Sequence, residues 1–84
     1  MLVVSRFDPD APRALSLCVP FTTKNRGSRY EVSVGRLPFM RENSWANVQG
    51  LVAVGNEKLL RRLGKLNASQ FNEVRDALRF ALEL

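Results

Sequence analysis

Histidine is absent from this 84-residue chain, and Cys18 is its only cysteine. A disulfide within the chain is therefore impossible, and zinc sites of the usual kind lack their Cys and His ligands. Catalysis of the Ser-His-Asp or Cys-His type is excluded as well, because it needs an imidazole base. We expect no metal and no cofactor. Cys18 lies in an apolar run, which favours a small buried side chain, and a single cysteine fits a reducing cytosol.

Long hydrophobic runs are also missing. No segment approaches the roughly 20 apolar residues of a membrane-spanning helix, and the N-terminus lacks the features of a signal peptide. We therefore expect a cytoplasmic protein that does not enter a membrane. Hydrophobic residues make up 45% of the chain, which excludes disorder as the default. Thirteen Lys and Arg against eight Asp and Glu leave a net charge of +5, which favours a polyanionic partner such as nucleic acid.

Residues 1–84 are expected to form one domain with a small core, because a chain this short buries only about 60% of its unfolded surface. Short runs rich in Val and Leu predict strands over residues 1–5 and 15–21, separated by turn-forming residues. Strict alternation of apolar and polar residues predicts a half-buried strand over 30–34. The apolar residues of 44–54 predict one or two further strands.

The last third of the sequence changes to a helical period. Residues 56–64 predict a short helix that ends at Gly64. Asn67 and Gln70 have the spacing of a capping box, and helically spaced apolar residues predict a second helix from there to about Leu82. Strands followed by helices indicate an α+β domain.

A basic loop follows the second predicted strand and its terminal Thr22 and Thr23. The loop carries three cations and no acid: Lys24, Arg26 and Arg29. Guanidinium groups match phosphate oxygens, so one interpretation is contact with an RNA backbone, which Arg36 and Arg41 would extend. The alternative is a solvated loop that keeps the chain in solution. For Thr22, the residues alone favour an ordinary strand or turn residue.

Three other side chains each allow two interpretations. Trp45 and Tyr30 either stack on unpaired bases or pack in the core, and core packing is the more common fate of a lone Trp in so small a domain. Glu31 either exchanges a proton during catalysis or points outward from its strand near Arg29. The outward strand position is the preferred interpretation for Glu31.

Five stretches of the chain, taken in order, form a recognisable pattern. They are residues 1–5 (MLVVS), 17–23 (LCVPFTT), 26–32 (RGSRYEV), 44–51 (SWANVQGL) and 60–66 (LRRLGKL), the last followed by the closing helix. Their order and spacing resemble the MazF/PemK/Kid family of toxin endoribonucleases, especially its PemK-like members. The resemblance implies a small SH3-like or CcdB-like antiparallel β-barrel, with a short helix and a C-terminal α-helix packed on it.

The same resemblance implies a metal-independent endoribonuclease, an mRNA interferase of a type II toxin-antitoxin system. Such a toxin cleaves single-stranded RNA without a cofactor and is neutralised by a cognate antitoxin. By resemblance, Thr22 is the catalytic residue, and the substrate-binding residues are Thr23, Lys24, Arg26 and Arg29.

The resemblance has one departure at the N-terminus. Family members normally begin with a further strand and a loop bearing a catalytic Arg, and Met1 falls where that loop should end. One alternative is therefore a truncated, inactive remnant that binds an antitoxin-like peptide or RNA without cleaving it. Action on gyrase, as in the related CcdB toxins, has less support from the Thr and the basic loop. Without the first strand the barrel would expose an unpaired edge, so we expect a homodimer.

Overall fold

The computed structural model describes residues 1–84 as six short strands, two 3-10 turns and one α-helix. The strands are β1 (Leu2–Val3), β2 (Leu15–Val19), β3 (Phe21–Thr22), β4 (Glu31–Gly35), β5 (Ser44–Asn47) and β6 (Val52–Gly55). The 3-10 turns span Val48–Gly50 and Asn56–Lys58, and the helix α1 spans Ala68–Leu82. The predicted α+β class is confirmed.

The strands form two antiparallel sheets, in the orders β1–β2–β6 and β3–β5–β4. The sheets meet at a corner where β2 passes into β3 through Pro20, and β5 passes into β6 through the turn at 48–50. Pro20 has no N–H to donate to a ladder, but its carbonyl accepts from the Asn47 N–H at 2.9 Å. A Cβ at Gly50 would lie 2.7 Å from Pro20 Cγ. Glycine therefore lets the two chain segments cross closely at this corner.

The predicted small antiparallel β-fold with a C-terminal helix packed on it is confirmed, and its two sheets do not join at their outer edges. One sheet ends in β1 and β6, and the other ends in β3 and β4. β1 and β3 each pair over only two residues, and no strand bridges the two sheets on the side away from the corner. The result is a pair of open antiparallel sheets that share one corner.

The core lies between α1 and the inner face of β3–β5–β4. In β4 the predicted alternation is confirmed, since Val32 and Val34 are buried while Ser33 is exposed. Cys18 is fully buried, as expected. The core cluster consists of Val19, Val32, Val34, Ala46, Val48, Leu66, Val74 and Ala77.

α1 begins at the predicted capping box. Asn67 Oδ1 accepts from the Gln70 N–H at 2.8 Å, and Gln70 Oε1 accepts from the Asn67 N–H at 3.1 Å. The Gln70 side-chain amide also donates to the Val34 carbonyl at 3.1 Å, which ties the start of α1 to β4. The helix ends at Leu82, as predicted. The structure contains no helix with the length and apolar character needed to cross a membrane.

The predicted helix over 56–64 is not formed beyond one 3-10 turn, Asn56–Lys58. An isolated helix this short is marginal in water unless it packs an apolar face. Leu60 is 91% exposed and Leu63 is 54% exposed, so this segment buries no such face. Propensity alone does not hold residues 59–64 in a helix.

Candidate functional site

Thr22 lies on the outer face of the sheet β3–β5–β4. The register pairs Phe21 with Ala46, and Thr22 with Trp45. Opposed residues of antiparallel strands point to the same face, and successive residues alternate between faces. Because Ala46 is in the core, Thr22 and Trp45 share the outer face. Ser33, which also pairs with Trp45, joins them there.

Trp45 is half-buried on this outer face, and the expectation that it packs in the core is wrong. The reason is strand parity, since the small Ala46 takes the inward position of β5. Tyr30 follows the core interpretation instead. It packs against the core cluster, and its ring centroid lies 5.2 Å from that of Phe80 in α1.

The Thr22 hydroxyl shapes the turn that follows β3. Thr22 Oγ1 accepts from the Lys24 N–H at 3.2 Å, a local side-chain bond typical of turns. A hydroxyl that accepts one bond still has its own proton to donate. Thr23 and Lys24 follow as exposed residues. The end of β3 therefore presents a positioned hydroxyl donor to solvent.

The basic loop is braced by Glu31. Glu31 accepts two hydrogen bonds from Arg26, one from its backbone N–H and one from its guanidinium, both at 3.1 Å. The Glu31 side chain is only 4% exposed, whereas that of Arg26 is 58% exposed. Asn25 Oδ1 also accepts from the N–H of Gly27, whose φ of +67° is readily adopted only by glycine. Glu31 lies on the outer face of the sheet, as expected, and its cationic partner is Arg26.

Arg29 is held by α1 instead of by the sheet. Its guanidinium carbon lies 3.8 Å from the centroid of the Phe80 ring, in a cation–π contact. Phe80 also contacts Tyr30, so the aromatic pair and Arg29 pack together. The two arginines of the basic loop therefore have different anchors, one on β4 and one on α1.

An open depression adjoins Trp45 at the end of the sheet. It has a volume of about 590 Å³ and is lined by Thr23, Arg36, Arg41, Glu42, Asn43 and Trp45. The chain contains two ion pairs, Arg26–Glu31 and Arg79–Asp76. Arg36 and Arg41 therefore bring two guanidinium groups without a carboxylate partner to a surface next to an aromatic side chain.

A second depression, of about 320 Å³, lies over the loop between β1 and β2. It is lined by residues of β1, of that loop and of the start of β2, together with Asn56, and none of the predicted site residues borders it. No group of three Cys, Asp or Glu side chains converges in the chain as a metal site would require. The outer face around Thr22 is thus the surface that gathers the candidate chemistry.

Comparison with known proteins identifies the family. Residues 1–82 match the model of PemK-like, MazF-like toxins of type II toxin-antitoxin systems. The chain belongs to this PemK/MazF-like toxin family. Its structure is similar to that of the Mycobacterium tuberculosis toxin MazF-mt6, with a TM-score of 0.82 and 26% sequence identity. The similarity covers 99% of this chain and 84% of the MazF-mt6 chain. No curated protein sequence matches this chain.

In this PemK/MazF-like chain, the structure groups only part of the site that the sequence predicts. Thr22 and Thr23 adjoin Trp45, while Arg26 and Arg29 are anchored on separate elements. Trp45 is the residue whose place the sequence analysis missed. Asn47 lies two residues after Trp45 in β5, so the two side chains point to the same face of the sheet. Because Asn47 is polar, this spacing favours an outward Trp45.

Proposed function

We propose that this PemK/MazF-like chain is an endoribonuclease toxin that cleaves single-stranded RNA without a metal ion and acts in the cytoplasm. In this proposal residues 1–84 act as one toxin domain. Family membership supports the toxin role. The observation that carries the proposal is the outer face of β3–β5–β4, where Thr22 lies opposite the half-buried Trp45, and Trp45 lines a depression with two arginines that form no ion pair.

The chemistry needs no histidine. The ribose 2′-oxygen forms a bond to the adjacent phosphorus while the bond from phosphorus to the 5′-oxygen breaks. The 2′-hydroxyl loses a proton and the departing 5′-oxygen gains one, which gives a cyclic 2′,3′-phosphate and a 5′-hydroxyl end. The transition state carries extra negative charge on phosphate oxygens, and preorganised donors stabilise it. Thr22 is assigned the role of one such donor.

Arg26 is assigned the role of supporting Thr22 from the loop. Its backbone N–H and its guanidinium both donate to Glu31, which braces the side chain against β4. A guanidinium has five N–H donors, and one bond to Glu31 leaves others for a phosphate. Lys24 and Thr23, both exposed, supply further contacts to the RNA backbone in this proposal.

A homodimer is part of the same proposal. α1 packs mainly against β4 and the 48–50 turn. The far end of β2 is left uncovered, with Leu15 47% exposed and Leu17 45% exposed. A second copy of the chain would cover these side chains and one of the open sheet edges. We also propose that a cognate antitoxin, acidic enough to complement the net charge of +5, neutralises the toxin.

One observation favours a second candidate function, a domain that binds RNA or an antitoxin-like peptide without cleaving RNA. Both arginines of the basic loop are already engaged, Arg26 with Glu31 and Arg29 with Phe80. An active site in which no arginine reached the scissile phosphate would bind RNA and leave it intact. The cleavage experiment decides between the two functions.

The test is incubation of a long single-stranded RNA with the 84-residue chain in EDTA, followed by analysis of the product ends. We expect fragments with 5′-hydroxyl ends. Thr22→Ala should lower the cleavage rate by about 10²-fold or more, as loss of one transition-state donor does, and Thr22→Ser should retain cleavage. Ser33→Ala is the matched control, because Ser33 is a hydroxyl on the same face. Intact RNA with a folded protein would refute the endoribonuclease and favour the binding domain.

A further inference from the structure

We propose that Trp45, Arg36 and Arg41 form a nucleotide subsite beside Thr22. An unpaired RNA base stacks on the Trp45 indole, and the two guanidinium groups bind phosphates on either side of that base. This inference rests on the proposed action on single-stranded RNA. It deepens that proposal by naming the residues that hold the RNA and place it against Thr22.

The first support is where the indole lies. Trp45 is opposite Thr22 in the register, so the two side chains are neighbours on the outer face. Trp45 is half-buried, so part of it remains in contact with solvent. Base stacking on such aromatic side chains is the usual way in which proteins bind single strands without reading their sequence.

The second support is the loop that carries the arginines. Gly35, with φ of +65°, ends β4 at an irregularity in its pairing with β5, and Arg36 follows directly. The loop then returns to β5 and is held by two hydrogen bonds, Met40 N–H to the Leu37 carbonyl at 2.9 Å and Ser44 hydroxyl to the Glu42 carbonyl at 3.3 Å. Both arginines are therefore presented by an ordered loop.

The third support is charge. Arg36 and Arg41 line the same depression as Trp45, and Glu42 is the only acid there. Neither arginine pairs with a carboxylate anywhere in the chain. Two arginines and an aromatic side chain around one depression suit the alternation of phosphate and base along a single RNA strand.

Trp45 is the only tryptophan, so its fluorescence reports on this subsite alone. The experiment titrates the full chain with a short, random-sequence 2′-O-methyl RNA, which cannot be cleaved because the 2′-oxygen is blocked. We expect saturable quenching of the Trp45 emission. With a fluorescein-labelled oligonucleotide, Trp45→Ala should weaken binding by about 5- to 150-fold, and Trp45→Phe should weaken it less because it keeps a ring.

Arg36→Ala and Arg41→Ala should each weaken binding. Each should also reduce the slope of log affinity against log salt concentration by about 0.7, the value for one lost phosphate contact on a single strand. Arg75→Ala is the matched control. Arg75 lies on α1, which packs against the opposite face of the sheet, and its guanidinium contacts Phe71 instead. This control should leave both affinity and salt slope unchanged.

The outcomes separate the subsite from the endoribonuclease activity. Quenching with the expected losses, but without cleavage of unmodified RNA, supports the subsite and refutes the endoribonuclease. Cleavage that persists at the parent rate in Trp45→Ala and in the two arginine variants overturns the subsite and leaves the endoribonuclease standing. RNA binding without quenching, or no RNA binding by the folded chain, also overturns the subsite. Far-UV circular dichroism confirms that each variant is folded, and Trp45→Phe provides the test if Trp45→Ala is not.

Discussion

The pair formed by Arg26 and Glu31 is asymmetric, and this asymmetry predicts the sign of a mutational effect. The Glu31 side chain is 4% exposed and that of Arg26 is 58% exposed. Arg26→Ala would leave a nearly buried carboxylate with only one backbone N–H as partner. Glu31→Gln would leave a guanidinium that water can solvate, and the amide keeps an oxygen for the Arg26 N–H. Arg26→Ala should therefore destabilise the fold more than Glu31→Gln does.

The magnitudes follow from the bonds lost. A hydrogen bond to a charged group contributes about 1.5–3 kcal/mol, reduced here because the guanidinium end is exposed to solvent. We expect Arg26→Ala to cost about 2 kcal/mol and Glu31→Gln to cost about 1 kcal/mol. In a chain of this size 1 kcal/mol corresponds to about 4–8 °C in Tm. The double variant should be more stable than Arg26→Ala alone by about 1 kcal/mol, since it removes the unpaired charge.

The assay is urea unfolding at neutral pH and one protein concentration, followed by circular dichroism, for the parent, the two single variants and the double variant. The pair Arg79–Asp76 is the matched control, because its side chains are 65% and 74% exposed. Arg79→Ala and Asp76→Asn should each change the free energy of unfolding by less than about 0.5 kcal/mol. In the double variant these two changes should be additive. The reasoning would be refuted if the double variant of Arg26 and Glu31 were less stable than Arg26→Ala alone. Full stability of Glu31→Gln with loss of RNA cleavage would show that Glu31 acts in the chemistry.

Two other predictions concern the corner and the proposed dimer. Gly50→Ala should cost about 1–3 kcal/mol of stability through contact with the Pro20 ring, but it should be neutral or slightly stabilising in a Pro20→Ala background. Urea unfolding of the parent and the three variants tests this, and an equal cost of Gly50→Ala in both backgrounds would contradict the close crossing. Leu17→Lys should convert the dimer to a monomer in light scattering at micromolar concentration, whereas Leu60→Lys, at a position 91% exposed, should not. A monomeric parent chain would count against the dimer.

Most secondary structure of this protein follows from local patterns. The alternation in β4 and the capping box at Asn67 each act within a few residues, and both appear in the structure as predicted. The helix predicted over 56–64 had only local signals in its favour, including a stop at Gly64. Leu60 and Leu63 stay exposed, and local signals are too weak to hold so short a helix without packing.

The candidate site was predictable only in part. The resemblance to a toxin family singled out Thr22 and the basic loop, and the fold places Thr22 on an accessible face. Which cation lies near which element depends on contacts between residues far apart in sequence. Arg29 binds Phe80, fifty-one positions further along the chain, and the grouping of Arg36 and Arg41 with Trp45 depends on how the loop after Gly35 folds back.

The sequence by itself determined that this protein has no histidine and one cysteine, that strands come before a final helix along the chain, and that positive charge is in excess. These properties depend on residue types and on spacings of a few residues. Only the tertiary structure decided that the strands divide into two sheets sharing one corner, that Trp45 faces outward beside Thr22, and that the arginines of the basic loop are anchored on different elements. Those outcomes depend on strand register, on the crossing at Pro20 and Gly50, and on side chains that meet only when the chain is folded.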